Sequence, residues 1–168
     1  MLIFAKPTNP QKELVDMCSL LEHSLSMVEK AISDKQIDVH RHYQHDREMI
    51  AVDPSMFTQT LINIFLNAID AMEAGGKLGV SVHGHADRLV IEIEDNGCGI
   101  AEEDLPHLYN PFFTRKNYGT GLGLTQVKKI IDQHGGEIDV LSKTGEGTRF
   151  IITLPKGPSL ESLGLDKA

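Results

Sequence analysis

The chain has 168 residues, which is a length typical of one domain with a sizeable core. Its formal net charge of −8 argues against a nucleic acid as partner, because domains that bind DNA or RNA are usually basic. Cys18 and Cys98 stand far apart and provide neither a disulfide framework nor a metal-ligand spacing, as is typical of a reduced cytosolic protein.

Neither the N-terminus nor any internal segment predicts insertion into a membrane. Residues 1–5 are mostly apolar, but this run is too short for a signal peptide and is followed by Lys6 and Pro7. No other apolar run approaches the length of a membrane span. We therefore expect the chain to be soluble and cytoplasmic, although a longer parent protein could be anchored in a membrane.

The first part of the chain predicts a long helix followed by two strands. Apolar residues at helical spacing predict a helix from Pro10 to about Ser33. The period then changes to two, and residues 37–43 and 48–52 are typical of strands joined by a charged turn.

A second helix is predicted from Pro54 to Met72, with Asp53 as its N-cap. Asn63 and Asn67 lie four residues apart and therefore share one face of this helix. Two amides on one face can hold hydrated Mg²⁺ against phosphates, since Mg²⁺ prefers oxygen ligands and keeps several waters. Two solvated side chains are the alternative interpretation, but asparagine is a poor residue for the middle of a helix.

The next alternating segments, residues 77–85 and 88–94, predict a hairpin whose second strand leads into Asp95. Asp-Asn-Gly is common in turns, but a carboxylate at a strand end can also accept a hydrogen bond from an exocyclic amine. Gly97 and Gly99 would let the backbone pass close to a flat ring. This segment therefore indicates a site for adenine.

About twenty residues later, a glycine-rich stretch opens a helix predicted from Gly121 to His134. Glycines at 119, 121 and 123 remove side chains where backbone N–H groups can point at phosphate oxygens. The helix that begins near Leu122 adds its positive N-terminal end. Such a loop alone is a weak indicator of nucleotide binding, but its order after an adenine-type segment predicts a purine nucleotide site.

Residues 137–142 and 148–154 predict a final hairpin. Together, the elements predict an α+β fold. Its architecture is a two-layer α/β sandwich in which a mixed, mainly antiparallel sheet is covered by three helices on one face.

These segments resemble the catalytic ATP-binding domain of bacterial sensor histidine kinases, within the gyrase, Hsp90, histidine kinase and MutL superfamily. The family's boxes occur in the family's order and cover residues 53–154 densely, which is highly specific. They are the N box (63–72), the first glycine box (95–99), the F box (111–116), the second glycine box (119–124) and the last glycine box (145–148). The resemblance implies a Bergerat-type fold that binds ATP and Mg²⁺.

The resemblance also implies roles for individual residues. Asn67 would bind Mg²⁺, with Asn63 near the phosphates, and both would serve catalysis. Asp95 would bond the adenine amine, assisted by Thr148 directly or through a water. The residues implied to bind ATP are Asn63, Asn67, Asp95, Gly97, Gly99, Ile100, Lys116, Gly119, Thr120, Gly121, Leu122, Gly123, Leu124 and Thr148.

A mobile lid over the phosphates is implied for residues 102–118. Phe112 and Phe113 would anchor this lid, and an equally good interpretation is that they pack the loop onto the core. Lys116 could reach a phosphate, or it could be a solvated lysine.

Two positions depart from the commonest family pattern. Asp70 stands where many members have a basic residue, in an Asn-Ala-Ile-Asp-Ala-Met version that resembles the nitrogen-regulatory subgroup. Asn63 stands where hydrolysing relatives such as gyrase place a glutamate that activates water. Because asparagine has no useful basicity at neutral pH, we expect slow hydrolysis and transfer of the γ-phosphoryl group to another nucleophile.

In this family the nucleophile is a histidine on a dimerisation helix, followed by an acidic residue and a nearby proline. None of the eight histidines fits, since even His45, followed by Asp46, has no proline after it. We therefore expect the acceptor on a separate dimerisation domain absent from this chain, a response regulator as indirect partner, and a monomeric fragment. Residues 1–9 would be a remnant of the dimerisation helix and linker, 10–155 the catalytic domain and 156–168 a flexible tail.

Other interpretations remain. A Rossmann-type dinucleotide-binding enzyme lacks support, because the third glycine does not stand at the spacing of that fingerprint and no apolar strand leads into the glycine-rich loop. Asn63 argues against an ATP-gated ATPase like gyrase or MutL. The intact Asn67, Asp95 and Gly121 argue against a degenerate sensor domain that binds nucleotide without phosphotransfer. A serine kinase of the anti-sigma type shares the fold and is the main alternative. Histidine pairs on strand faces, His40 with His42 and His83 with His85, lack a further ligand for a metal site.

Overall fold

The computed structural model describes residues 9–114, 121 and 123–157. Four of the predicted phosphate-binding residues, Lys116, Gly119, Thr120 and Leu122, lie outside the described residues. The same holds for most of the predicted terminal segments.

The described residues form helices and strands in the following order along the chain: β1 (Glu13–Asp16), α1 (Met17–Met27), α2 (Glu29–Asp34), β2 (Asp38–Tyr43), β3 (Met49–Val52), α3 (Pro54–Ala71), β4 (Lys77–Gly84), β5 (Arg88–Asp95), α4 (Gly123–Gln133), β6 (Glu137–Lys143) and β7 (Gly147–Pro155). A short 3-10 turn, Leu105–His107, lies between β5 and α4.

Five of the strands form one mixed sheet in the order β2-β4-β5-β7-β6. β2 runs parallel to β4, and each of the other neighbouring pairs is antiparallel. β1 and β3 form a separate antiparallel pair. The predicted fold class, a mixed and mainly antiparallel sheet combined with a few helices, is confirmed.

Helices cover one face of the five-stranded sheet, and the core lies between the two layers. Alternate residues of β4, β5 and β7 are buried, whereas the residues between them remain at least partly accessible. α3 contacts β5 and β7, α4 contacts β6, and α1 packs beside α3. The largest fully buried side chains include Phe57, Phe65, Leu78, Ile91 and Ile152.

The prediction of one helix from Pro10 to Ser33 is wrong. Residues Glu13–Asp16 form a strand paired with β3, and the helix begins only at Met17. The Asp16 carboxylate caps this helix by accepting hydrogen bonds from Cys18 N (3.2 Å) and Ser19 Oγ (2.7 Å). The apolar residues of this short strand, Leu14 and Val15, are compatible with a helical period as well as with a strand period. Leu14 lies outside the core, since it is 68% exposed.

The predicted strands 37–43 and 48–52 are both present, but the turn between them does not form a hairpin. β2 joins the large sheet beside β4, and β3 pairs with β1. The predicted hairpins β4–β5 and β6–β7 are confirmed.

Candidate nucleotide-binding site

α3 carries the two predicted asparagines, and its start is fixed as the sequence predicts. Asp53 is the N-cap and accepts a hydrogen bond from Met56 N at 3.1 Å, while Pro54 occupies the first turn. The apolar face of the helix is buried against the sheet. Asn63 and Asn67 lie beside that face and remain partly exposed.

Asn63 brings the N box next to the start of α4. Its Cγ lies 4.0 Å from the point that a Cβ on Gly123 would occupy. One turn earlier, Gln59 Nε2 donates to Gln126 Oε1 of α4 at 3.3 Å. The predicted magnesium helix and the helix of the second glycine box are therefore in direct contact.

The N-terminal end of α4 is the expected anchor for phosphate. The helix begins at Gly123, two residues later than predicted, and Leu124 packs against the core. Thr125 Oγ1 donates to the carbonyl oxygen of Tyr109 at 3.1 Å, which ties this end to the preceding loop. Free backbone N–H groups at such an end favour an anion.

Asp95 ends β5 as a buried carboxylate with 5% exposure. It accepts a hydrogen bond from the backbone amide of Gly97 at 2.8 Å. Burial raises the pKa of Asp95 above its ordinary value, and the nearby backbone amides of Gly97 and Thr148 oppose that rise. In its ionised form this group only accepts hydrogen bonds, as recognition of an exocyclic amine requires.

The glycines of the first glycine box are required by contacts within the protein. A Cβ on Gly97 would collide with the carbonyl group of Ala71 at the end of α3. Gly99 has a φ of +72°, and its Cβ would collide with the carbonyl group of Lys143. The predicted reason, close approach of a flat ring, is therefore not needed to explain these glycines, which hold the loop against α3 and β6.

Thr148 lies directly opposite Asp95 across the β5–β7 ladder, and Ser142 lies directly opposite Thr148 across the β6–β7 ladder. All three side chains belong to the helix-covered face, because each continues the buried alternation of its strand. Ser142 Oγ also accepts a hydrogen bond from Ile100 N at 2.7 Å.

The sequence motifs do not predict Ser142 as a site residue. The sequence pattern that could have indicated Ser142 is the alternation of β6, in which Ser142 follows Ile138 and Val140 on the half-buried face near the end of the strand. Its contact with Thr148 depends on the register of β6 and β7, which motif spacing does not reveal.

The predicted lid is described as far as residue 114. Phe112 does not anchor it to the core in this structure, since its side chain is 75% exposed. Instead, Phe112 N donates to the carbonyl oxygen of Gly121 at 3.1 Å. Phe113 contacts His107 within the same loop, with ring centroids 5.8 Å apart, and Tyr109 packs against the core.

Within the described part of the chain, no group of three His, Cys, Asp or Glu side chains could hold a metal ion. The His42 and His83 rings approach to 5.9 Å between centroids on the outer face of the sheet. No helix among the described residues is long and apolar enough to cross a membrane.

Comparison with known proteins shows the family to which this chain belongs. Residues 52–158 match the family of histidine kinase-, DNA gyrase B-, and HSP90-like ATPases. The sensor histidine kinase ZraS of Escherichia coli (strain K12) is 37% identical over 155 residues, which are 92% of this chain and 33% of ZraS. The chain thus spans about a third of the length of this relative.

Solved structures of histidine kinases share the fold. The catalytic domain of histidine kinase ThkA, in a nucleotide-free form, superposes with a TM-score of 0.80 at 30% identity, covering 87% of this chain and 96% of that domain. ThkA in complex with the response regulator protein TrrA gives a TM-score of 0.77 at 27% identity, covering 89% of this chain and 43% of ThkA.

Proposed function

Because the chain belongs to the histidine kinase-, DNA gyrase B-, and HSP90-like ATPase family, we propose that it is the ATP-binding catalytic domain of a two-component sensor histidine kinase. In this proposal it binds Mg-ATP and donates the γ-phosphoryl group to a histidine on a dimerisation domain outside this chain. The main structural support is that α3 contacts both ends of the proposed site. Cys98 N, in the loop after the buried Asp95, donates to the Ala71 carbonyl oxygen at 2.9 Å, and Asn63 lies beside Gly123 at the start of α4.

Asp95 and Thr148 form the adenine end of the proposed site. The Gly97 amide donates to the carboxylate, so its orientation is set before a nucleotide arrives. The first glycine box and Ile100 follow Asp95 directly and border this end. Ile100 is held there because its backbone N–H donates to Ser142 Oγ. An acceptor in this position suits the amino group of adenine and disfavours the carbonyl group of guanine.

Asn63 and Asn67 form the phosphate end with the start of α4. Amide oxygens are suitable Mg²⁺ ligands, and Asn67 is the proposed ligand. Bound Mg²⁺ would neutralise charge on the phosphate oxygens. Gly123 and Leu124 would supply backbone N–H groups, together with the remaining residues of the second glycine box. The Lys116 side chain would reach a phosphate.

The N box favours phosphoryl transfer over hydrolysis. The Asn63 amide has no useful basicity and cannot deprotonate an attacking water. A neutral imidazole needs no such base, because its unprotonated nitrogen is already nucleophilic near pH 7. In the transfer, a bond forms between that nitrogen and the γ-phosphorus while the bond from phosphorus to the β,γ-bridging oxygen breaks, leaving ADP.

The partners follow from this chemistry. The histidine-bearing dimerisation domain is the direct partner, and a response regulator receives the phosphoryl group afterwards, as the complex of ThkA with TrrA suggests by analogy. We propose that the chain alone is monomeric. The likeness to the nitrogen-regulatory subgroup stays a prediction.

Phosphotransfer from labelled ATP tests the proposal. The chain would be incubated with Mg²⁺, ATP labelled at the γ-phosphate, and a dimerisation domain that carries the acceptor histidine. Acid-labile, alkali-stable label on that domain, absent with Asp95→Ala, would support a histidine kinase. Acid-stable label on a serine of an anti-sigma antagonist would favour the serine kinase instead. Rapid hydrolysis without transfer to either substrate would overturn the proposal.

A further inference from the structure

The Ser142 hydroxyl, on β6, contacts the loop after β5 and the start of β7 at the adenine end of the proposed site. Its Oγ lies 2.7 Å from Ile100 N, 2.9 Å from the carbonyl oxygen of Gly147 and 2.8 Å from Thr148 Oγ1. A serine hydroxyl has one hydrogen to donate and two lone pairs to accept. The three contacts can all be hydrogen bonds only if each has one donor and one acceptor, and this requirement limits where the Ser142 hydrogen can point.

Counting hydrogens leaves one arrangement. The Ile100 amide must donate to Ser142 Oγ, since an N–H group cannot accept. The Gly147 carbonyl can only accept, so it takes the Ser142 hydrogen. The second lone pair of Ser142 then remains for Thr148, whose hydroxyl must be the donor in that contact.

The consequence falls on Thr148, which has used its hydrogen on Ser142. Away from Ser142, its oxygen offers only lone pairs. Thr148 lies opposite Asp95, and both side chains are 5% exposed. The two neighbouring side chains thus present acceptors, without a donor, to whatever occupies the space beside them.

We propose that Ser142 is a positioning residue that fixes the direction of the Thr148 hydroxyl and so makes the site prefer adenine over guanine. A pair of acceptors matches the amino group of adenine, directly or through one water, and repels the carbonyl oxygen of guanine. Without Ser142, the Thr148 hydroxyl is free to rotate and donate. This inference rests on the proposed ATP site.

The test is the ratio of ATP to GTP affinity, measured by calorimetry on the purified chain with Mg²⁺. Ser142→Ala should lower this ratio roughly three- to tenfold, the effect of losing one directed hydrogen bond. Ser142→Thr, which keeps the hydroxyl, should retain the ratio. In a Thr148→Val background, Ser142→Ala should leave the ratio unchanged, because Ser142 acts through Thr148.

Two controls separate positioning from stability. Ser24→Ala removes a buried hydroxyl elsewhere, which donates to the Leu20 carbonyl oxygen at 2.8 Å in α1, and should alter stability without altering the ratio. Ser142→Cys keeps the shape of serine with a poor donor and acceptor, and should lower the ratio if Ser142→Ala does not fold.

The outcomes distinguish this inference from the proposed function. Equal weakening of ATP and GTP by Ser142→Ala or Ser142→Cys, with an unchanged ratio, would overturn the positioning role while leaving the ATP site intact. A parent chain that binds neither nucleotide would overturn the proposed function, and the role of Ser142 with it.

Discussion

His134, immediately after α4, accepts a hydrogen bond from the backbone amide of Asp53, with 3.0 Å between Asp53 N and His134 Nε2. Its other ring nitrogen lies 2.7 Å from the Ile130 carbonyl oxygen, which can only accept, so the hydrogen belongs on Nδ1 and Nε2 is the acceptor. The ring also meets Phe57 edge-on, at 5.3 Å between centroids. A buried neutral histidine therefore connects the end of α4 to the N-cap of α3.

Replacement of His134 should destabilise the fold. His134→Ala leaves the Asp53 amide without its acceptor and removes a buried ring, so we expect a loss of about 2–3 kcal/mol in unfolding free energy. Urea denaturation measures this loss. His85→Ala, at an exposed histidine, is the matched control and should change stability by less than about 0.5 kcal/mol. Equal effects of the two variants would refute the role of His134.

Asp95 should make stability depend on pH in a defined direction. Burial raises the pKa of Asp95 in the folded protein above the ordinary value of 3.8, so the folded state holds this proton more tightly than the unfolded state does. Its contribution to stability is therefore largest below pH 3.8 and decreases as pH rises through the folded pKa.

Asp95→Asn removes that titration. As pH rises from about 3 to about 7, the parent should lose stability relative to the variant, because only the parent carries the carboxyl group that titrates. Urea denaturation of both proteins at each pH measures the difference in unfolding free energy. The same variant should bind ATP more weakly because its amide can present a donor to the adenine amine. A pH-independent difference would contradict the raised pKa.

The two N box asparagines should differ in their effect on magnesium. Asn67→Ala should raise the Mg²⁺ concentration needed for ATP binding more than Asn63→Ala does, since Asn67 is the proposed ligand and Asn63 lies against the start of α4. Magnesium titrations of ATP binding with both variants measure this order. Identical titrations would mean that Asn67 is not the main ligand.

A carboxylate at position 63 should convert the site toward hydrolysis. Asn63→Glu supplies the general base that the N box lacks, and release of inorganic phosphate should increase by up to ~10²–10⁴-fold if the carboxylate reaches the attacking water. Gln59→Glu adds the same charge one turn earlier, beside α4, and should not increase release. No increase with Asn63→Glu, in a variant that still binds ATP, would show that Asn63 does not explain slow hydrolysis.

Local signals predicted the elements that depend on neighbours in sequence. Asp53 and Pro54 determine where α3 begins, and the alternation in β4 and β5 determines which side chains are buried. The motifs also predict Asp95 and Thr148 as site residues, and the register of β5 and β7 places the two opposite each other.

Contacts between distant segments could not be predicted in this way. Strand Glu13–Asp16 is too short to separate a strand period from a helical one, and its pairing with β3 is set by tertiary structure. The link from Asp53 to His134 spans 81 residues. The contact of Ser142 with Thr148 exists only because of the β6–β7 register.

Calorimetric titration of the chain with Mg-ATP, repeated with Asp95→Ala, tests the central claim most directly. We predict binding of one nucleotide per chain by the parent, because the sequence holds one set of family boxes, and loss of most of the affinity in the variant. No heat and no thermal shift for the parent at millimolar ATP, or equal affinity in the Asp95→Ala variant, would contradict the account.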